Sequence, residues 1–357
     1  MKLKDNVKFS LLKTFFFTVF SLIIIFFLFE FLIRFFFPQY NYNAIFYEKS
    51  ETHKVFKGVD TFFFKHKSID NFLIRVKSNK DIFEFNNKNK LVFIGDSISL
   101  GYGVEFEENY IEIIKSQLSN NIQVIGLSNL NKNYSDINDT ITEDLINFLK
   151  EGDKVVYQFS YNDIMPINTN KNNIKKKETV FQKFQKIKFK YLNYSSLIKF
   201  LNYHASLINK KMNQDCLERK YYSLGQYTYA FYSKGFENES EKSWSNFKER
   251  IIKTKKILEN RKIEFYILVA PMSLQLKNHE VVNKLKFSLN CSTKDGHKII
   301  NQIANEISIN LIDPLIEFKK SQNNGFQLLF HEFDTAHYNK LGYKLIANEV
   351  LKKIKNK

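Results

Sequence analysis

The stretch Leu91-Val92-Phe93-Ile94-Gly95-Asp96-Ser97-Ile98-Ser99-Leu100 decides how this chain folds, because four apolar residues run directly into a Gly-Asp-Ser turn. A short β-branched and aromatic run closed by glycine reads as a buried strand. The Glu-rich, amphipathic segment from Glu107 to Leu118 that follows reads as a helix. Ser97 therefore falls at a strand-to-helix junction. Its hydroxyl lies at the carboxyl end of a strand, the edge where open α/β sheets place their sites, with unpaired backbone N–H groups close by.

Beyond this junction the pattern keeps alternating. Strands are predicted over Ile122 to Leu127, Lys154 to Phe159, Ile263 to Ala270 and Asn310 to Ile312. Helices are predicted over Asp139 to Lys150, Phe247 to Arg261, His297 to Ile307 and Leu341 to Ile354. Alternation at this spacing predicts an α/β domain with a parallel sheet over 91–357. A Lys- and aromatic-rich stretch over 167–243 interrupts the rhythm and reads as an insertion. Within it, Phe181 to Leu201 carries apolar residues at helical spacing and reads as a helix packed on the domain, with a lid or membrane-surface helix as the sharper alternative. Residues 38–90 alternate polar and aromatic character and read as a stalk with some edge structure.

Upstream, an apolar run from Phe15 to Phe37 is broken only by Thr18, Ser21, Glu30 and Arg34. Such a segment, taken as 14–37, is long enough to cross the roughly 30 Å hydrocarbon layer as a helix. Glu30 and Arg34 stand one turn apart near its far end. Lysines crowd the 1–13 tail, so the positive-inside rule puts the amino terminus in the cytoplasm and the rest outside it, periplasmic or at the cell surface. A cleaved signal peptide fits less well, since the run is long and no small-residue cleavage site follows.

Composition excludes some classes. Apolar residues make up 44% of the 357, with 37 Phe and 19 Tyr, which rules out a disordered chain. The net charge of +17 is spread among Asn, Ile and Phe along the whole chain without a nucleic-acid motif, so nucleic acid is not an expected partner. An anionic membrane surface or polyanionic glycan stays open. Cys216 and Cys291 define no disulfide framework and no metal site; a single bridge and two separate thiols both fit.

Two further elements bear chemistry. Asp334 and His337 stand three residues apart, so a carboxylate accepting the Nδ1 proton would leave Nε2 to take the proton of Ser97 during attack on a carbonyl carbon. The strand Val155 to Phe159 leads into Asn162 and Asp163. Asn162 thus shares a sheet edge with Ser97 and can donate to an oxyanion, although Asn-Asp after a strand is also an ordinary Asx-turn.

Taken in order, Gly95-Asp96-Ser97-Ile98-Ser99, Asn162-Asp163 and Asp334-Thr335-Ala336-His337 resemble the motifs of the SGNH (GDSL-type) hydrolase family, over about Leu91 to Ile354. The resemblance implies a three-layer α/β/α sandwich behind one N-terminal transmembrane helix. It implies a Ser97, His337 and Asp334 triad, an oxyanion hole of Asn162 with the Ser97 backbone N–H, and no metal or cofactor. Two departures stand out. Ser160 occupies the place of a family glycine. The second-motif glycine, which supplies another oxyanion N–H, is absent: Gly126 comes too early, and Asn131 or Asn133 would have to present that group. By resemblance and location, the substrate is an acylated cell-envelope glycan or lipid and the reaction ester hydrolysis. The alternatives are O-acyl transfer to a glycan hydroxyl, served by a membrane acyl-donor protein, and a catalytically silent glycan-binding or scaffold protein on the same fold.

Overall fold

The computed structural model describes residues 2–36, 55–57, 62–66, 69–77, 85–128, 138–164, 195–198, 200–201, 204, 230–232, 235–276, 294–323, 329–331 and 334–355. The chain divides into two compact units, Met1–Ala44 with Ile174–Met212, and Ile45–Asn173 with Asn213–Lys357.

The first unit is built on helix α1 (Lys2–Phe36). Its 24-residue section Lys13–Phe36 is long and apolar enough to cross a membrane. The side chains of Phe15 to Phe36 are largely exposed, and no polar face runs along this section of the helix. Glu30 accepts hydrogen bonds from Ser195 Oγ at 2.7 Å and from the backbone N–H groups of Ser196 and Leu197, both at 2.9 Å. Arg34 Nε pairs with the same carboxylate at 2.7 Å, the i,i+4 contact that the spacing predicts. Residues 196–198 are helical, so Glu30 satisfies the free N–H groups of a helix start that is distant in sequence. The rest of the predicted Phe181 to Leu201 helix lies mostly outside the described residues.

The second unit is a three-layer α/β/α sandwich. Strands β1 (Val55–Lys57), β2 (Phe62–His66), β3 (Ile69–Val76), β4 (Asn89–Gly95), β5 (Ile122–Ser128), β6 (Lys154–Phe159), β7 (Glu264–Val269) and β8 (Asn310–Ile312) form one sheet in the order β1-β2-β3-β5-β4-β6-β7-β8. Strands β5, β4, β6, β7 and β8 run parallel, while β1 to β3 extend the β5 side antiparallel. The region read as stalk and edge structure thus contributes three strands to that sheet.

Alternation along the strands builds two cores, because successive side chains point to opposite faces. Val92, Ile94, Val155, Tyr157, Phe159, Ile267 and Val269 face helices α4 (Glu237–Asn260) and α5 (Gly296–Glu306). Leu91, Phe93, Val156, Tyr266 and Leu268 face α3 (Tyr110–Gln117), α6 (Leu315–Asn323) and α7 (Lys340–Lys355). Between β4 and α3 lies a single turn, α2 (Ser97–Leu100).

Several elements differ from expectation. The segment read as a helix near Asp139 to Lys150 is instead a widened turn, Thr140–Asp144, followed by a tightened one, Leu145–Phe148. That irregular winding brings Ile141, Leu145, Ile146 and Leu149 into the core, and Arg261 Nη1 takes the Ile146 carbonyl at 2.9 Å. Helix α4 starts ten residues before the predicted Phe247. Its first turns are polar, and only Ser240, Ser243 and Trp244 are buried there, so no apolar period announces them. Helix α6 and the two-stranded ribbon of β9 (Phe330–His331) and β10 (Asp334–Tyr338) are additions.

At the amino end of β4, Lys90 and Asp153 are both buried, with Nζ and Oδ2 3.8 Å apart. Asp153 also accepts from the backbone N–H groups of Lys90 at 2.7 Å and Lys150 at 2.9 Å. Asp153→Ala strands a buried ammonium and two N–H groups, so the expected loss is about 3–5 kcal/mol. Urea unfolding of the detergent-solubilised protein, followed by the fluorescence of its one tryptophan, Trp244, measures it; a loss under about 1 kcal/mol contradicts the assignment.

Candidate active site

Strand β4 lies between β5 and β6, so the chain leaves it first to one side and then to the other. Its carboxyl end is a topological switch point, where an open α/β sheet forms a crevice. Ser97 stands at this end. Asp96 Oδ1 accepts from Ile98 N at 2.9 Å and caps α2, and Gly101, at φ +75°, closes it in the left-handed region that favours glycine.

Gln158 of β6 fastens this junction. Its Oε1 accepts from Asp96 N at 3.2 Å and from Ser99 Oγ at 3.1 Å, and its Nε2 donates to Ser160 Oγ at 2.6 Å. A Cβ on Gly95 would sit 2.3 Å from Gln158 Oε1 and 2.3 Å from Ser99 Oγ, so only glycine admits this approach. The same side chain thus ties the Ser97 turn to the turn that carries Asn162.

His337 arrives from β10. Its Nε2 lies 2.8 Å from Ser97 Oγ. The next residue, Tyr338, is fully buried and donates its hydroxyl to Pro271 O. Asn339 then caps α7, its Oδ1 accepting from Leu341 N at 3.0 Å and Gly342 N at 3.1 Å. Both anchors fix the strand end on which the imidazole stands. The Tyr102 ring packs on the imidazole with centroids 4.4 Å apart, and the Tyr102 carbonyl accepts from Tyr343 Oη at 3.4 Å. Arg75 of β3, itself buried, donates to the carbonyls of Gly101 at 2.9 Å and Val104 at 2.8 Å and so braces the loop bearing Tyr102.

Asn162 lies in the turn Tyr161–Ile164 directly after β6. Its Oδ1 is buried and has no hydrogen-bond partner among the described residues. The flanking Asp163 is buried, and its Oδ2 accepts from Ser160 N at 2.9 Å and from the Tyr157 hydroxyl. Ser160 is not in the left-handed region, so its place does not demand glycine.

Sequence reasoning singled out Ser97, His337, Asn162 and Asp334. The structure brings Ser97 and His337 into hydrogen-bond contact and sets Asn162 at the end of the adjacent strand. Asp334 is placed by its backbone in β10, three residues before His337, while its side chain lies outside the described residues. So do Asn131, Asn133, Cys216 and Cys291. Gly126 is a packing glycine inside β5: a Cβ would meet Ile111 Cδ1 at 2.7 Å. Gln158, Arg75 and Tyr102 escaped the sequence reading. The available signal was a lone polar residue in each of two apolar runs, Gln158 in Val155 to Phe159 and Arg75 in Phe72 to Val76. Among the described residues, no group of three or more His, Cys, Asp and Glu side chains converges as a metal site.

No family model matches the chain, and no curated protein matches it. Solved structures to which it is similar include a member of the lipolytic G-D-S-L family from Veillonella parvula, with 12% identity over 74% of this chain and 96% of that one, at a TM-score of 0.40. Others are an acetylxylan esterase from Geobacillus stearothermophilus, with 14% identity over 76% and 96% at 0.39, and an α/β hydrolase from the metagenome of Lake Arreo, with 15% identity over 74% and 94% at 0.38.

Burial, with the charge of Asp96 added, pushes the Asp163 carboxyl up to about 8, against the pull of its Tyr157 and Ser160 hydrogen bonds. An unfolded aspartate releases its proton near about pH 4. Between those values the native state binds more protons than the unfolded one, so this group makes stability fall as pH rises from about 4 to about 8. Asp163→Asn, which keeps an acceptor oxygen and carries no charge, is expected to flatten that fall. Urea midpoints of both proteins from pH 4.5 to 8.5 test this; equal slopes contradict it.

Proposed function

We propose that this chain is a membrane-anchored serine esterase that removes ester-linked acyl groups, O-acetyl groups foremost, from cell-envelope glycans or lipids. The observation that carries the proposal is the 2.8 Å contact between Ser97 Oγ and His337 Nε2 at the carboxyl end of the switch-point strand. A serine hydroxyl is a weak nucleophile unless a base takes its proton as it attacks.

In the proposed reaction, Ser97 Oγ bonds to the ester carbonyl carbon while its proton passes to His337 Nε2. The carbonyl oxygen becomes an oxyanion, stabilised by the Ser97 N–H at the start of α2 and by the Asn162 amide. The intermediate collapses by breaking the bond to the alcohol oxygen, which leaves with the proton from His337. Water then attacks the acyl-serine, giving its proton to His337, and Ser97 leaves with that proton, releasing the carboxylic acid. Asp334 is assigned the Nδ1 side of the imidazole, which it would hold in the tautomer that exposes Nε2. A sugar hydroxyl in place of water would turn the same acyl-enzyme to transfer. The span Lys13–Phe36, with lysines preceding it, supports an extracytoplasmic position for the reaction.

Covalent labelling of the detergent-solubilised protein by a fluorophosphonate is expected, and is expected to vanish in Ser97→Ala. His337→Ala should lower ester turnover at least about a thousandfold, and Asn162→Ala about a hundredfold, mainly in kcat. An unlabelled yet folded wild type would sink the triad reading. Release of free acid from a model ester identifies hydrolysis; acylated sugar without free acid identifies transfer. A reporter fused after Pro38 is expected to be active only outside the cytoplasm.

A further inference from the structure

Asn162 has a buried Oδ1 without a partner among the described residues, so its direction must come from its neighbours in the chain. Asp163 holds one side of the turn. On the other side Tyr161, 1% exposed, sends its hydroxyl into a polar chain across the carboxyl ends of three strands. Gln275, in the turn after β7, donates from Nε2 to the Tyr161 hydroxyl at 2.9 Å while its Oε1 accepts from Met272 N at 2.7 Å. The Tyr161 hydroxyl lies 3.2 Å from His297 Nδ1. His297 Nε2 lies 3.0 Å from Asp313 Oδ2, in the loop after β8. Asp313 is itself held, since its Oδ1 accepts from Leu315 N at 3.1 Å, and His297 is held by Asp295, which accepts from its backbone N–H at 2.9 Å.

Donors and acceptors along this chain admit one consistent order with a neutral imidazole. Gln275 spends its oxygen on Met272, so it must donate to Tyr161; Tyr161 then donates to Nδ1, and Nε2–H donates to Asp313. Nothing in this set is needed to bury the Tyr161 ring, which packs against Phe159 and Phe231 at centroid distances of 5.3 and 5.0 Å. The hydroxyl adds direction. Its bonds to Gln275 and His297 fix the tip of the side chain in space, and a side chain held at its tip and along its ring restrains the backbone from which the next side chain departs.

We infer that Tyr161 is a positioning residue that, held by His297, Asp313 and Gln275, aims the Asn162 amide at the oxyanion. This rests on the esterase reading above. Tyr161→Phe keeps the ring and removes the hydroxyl. It is expected to lower kcat about 10- to 100-fold with KM within about twofold. In an Asn162→Ala background the same change should alter kcat less than about twofold, because residues acting through one group are not additive. A merely structural role would instead move stability alone, read by Trp244 emission in urea. A crystal structure of Tyr161→Phe should show the Asn162 amide displaced or disordered on an otherwise unchanged sheet. Unchanged kcat, multiplicative losses in the double variant, or an undisplaced Asn162 would each overturn the inference. A displaced Asn162 in a protein whose ester turnover survives Ser97→Ala would overturn the esterase reading alone, leaving Tyr161 as the residue that sets the turn.

Discussion

The amide of Gln158 is the contact on which the site depends. Two parallel strands, β4 and β6, end side by side, and each gives way to a turn whose conformation the sheet no longer dictates. Gln158 accepts from one turn and donates to the other, so both are referenced to a single buried group. Gly95 is the counterpart of that contact, since any side chain there would occupy the space of the Gln158 oxygen. A polar group so buried costs stability unless its bonds are met, and here both ends of the amide are satisfied. The gain is geometric: the Ser97 turn and the Asn162 turn are held to one frame.

Around this link, each remaining part is also tied to the core. His337 depends on the buried Tyr338 and the Asn339 cap. Tyr102, which packs on the imidazole, depends on Arg75, whose guanidinium replaces the solvent that the Gly101 and Val104 carbonyls would otherwise need. The loops that bear the candidate site residues are thereby carried on rigid elements.

Much of this was legible in the chain itself. Leu91 to Ile94 is a continuous apolar run and Val155 to Phe159 is one broken only by Gln158, the mark of strands buried on both faces, and each announces its own carboxyl end with a polar turn. Ser97 and Asn162 follow from those ends, and His337 from its spacing to Asp334. What stayed illegible has physical causes. The first turns of α4 are polar because only Ser240, Ser243 and Trp244 face the core there. The winding near Thr140 obeys tertiary demands, with an apolar pattern that a regular helix would display equally well. The strands β1 to β3 join the β5 side of the sheet by antiparallel pairing, which no local period reveals. Gln158 and Arg75 looked like interruptions of apolar runs, and their partners lie 62 and 26 residues away.

The clamp of Glu30 on Ser195, Ser196 and Leu197 has a bearing on how the protein could be shed from a membrane. The chain crosses between the two units three times, after Ala44, after Asn173 and after Met212. A protease that cuts only the first crossing leaves the large unit covalently joined to 174–212, and that segment hydrogen-bonded to α1. Release would require a second event, either rupture of the Glu30 contacts or cleavage of both remaining crossings. In the membrane-anchored reading proposed above, residues 195–197 would then form a second, non-covalent link to α1 that a single nick leaves in place.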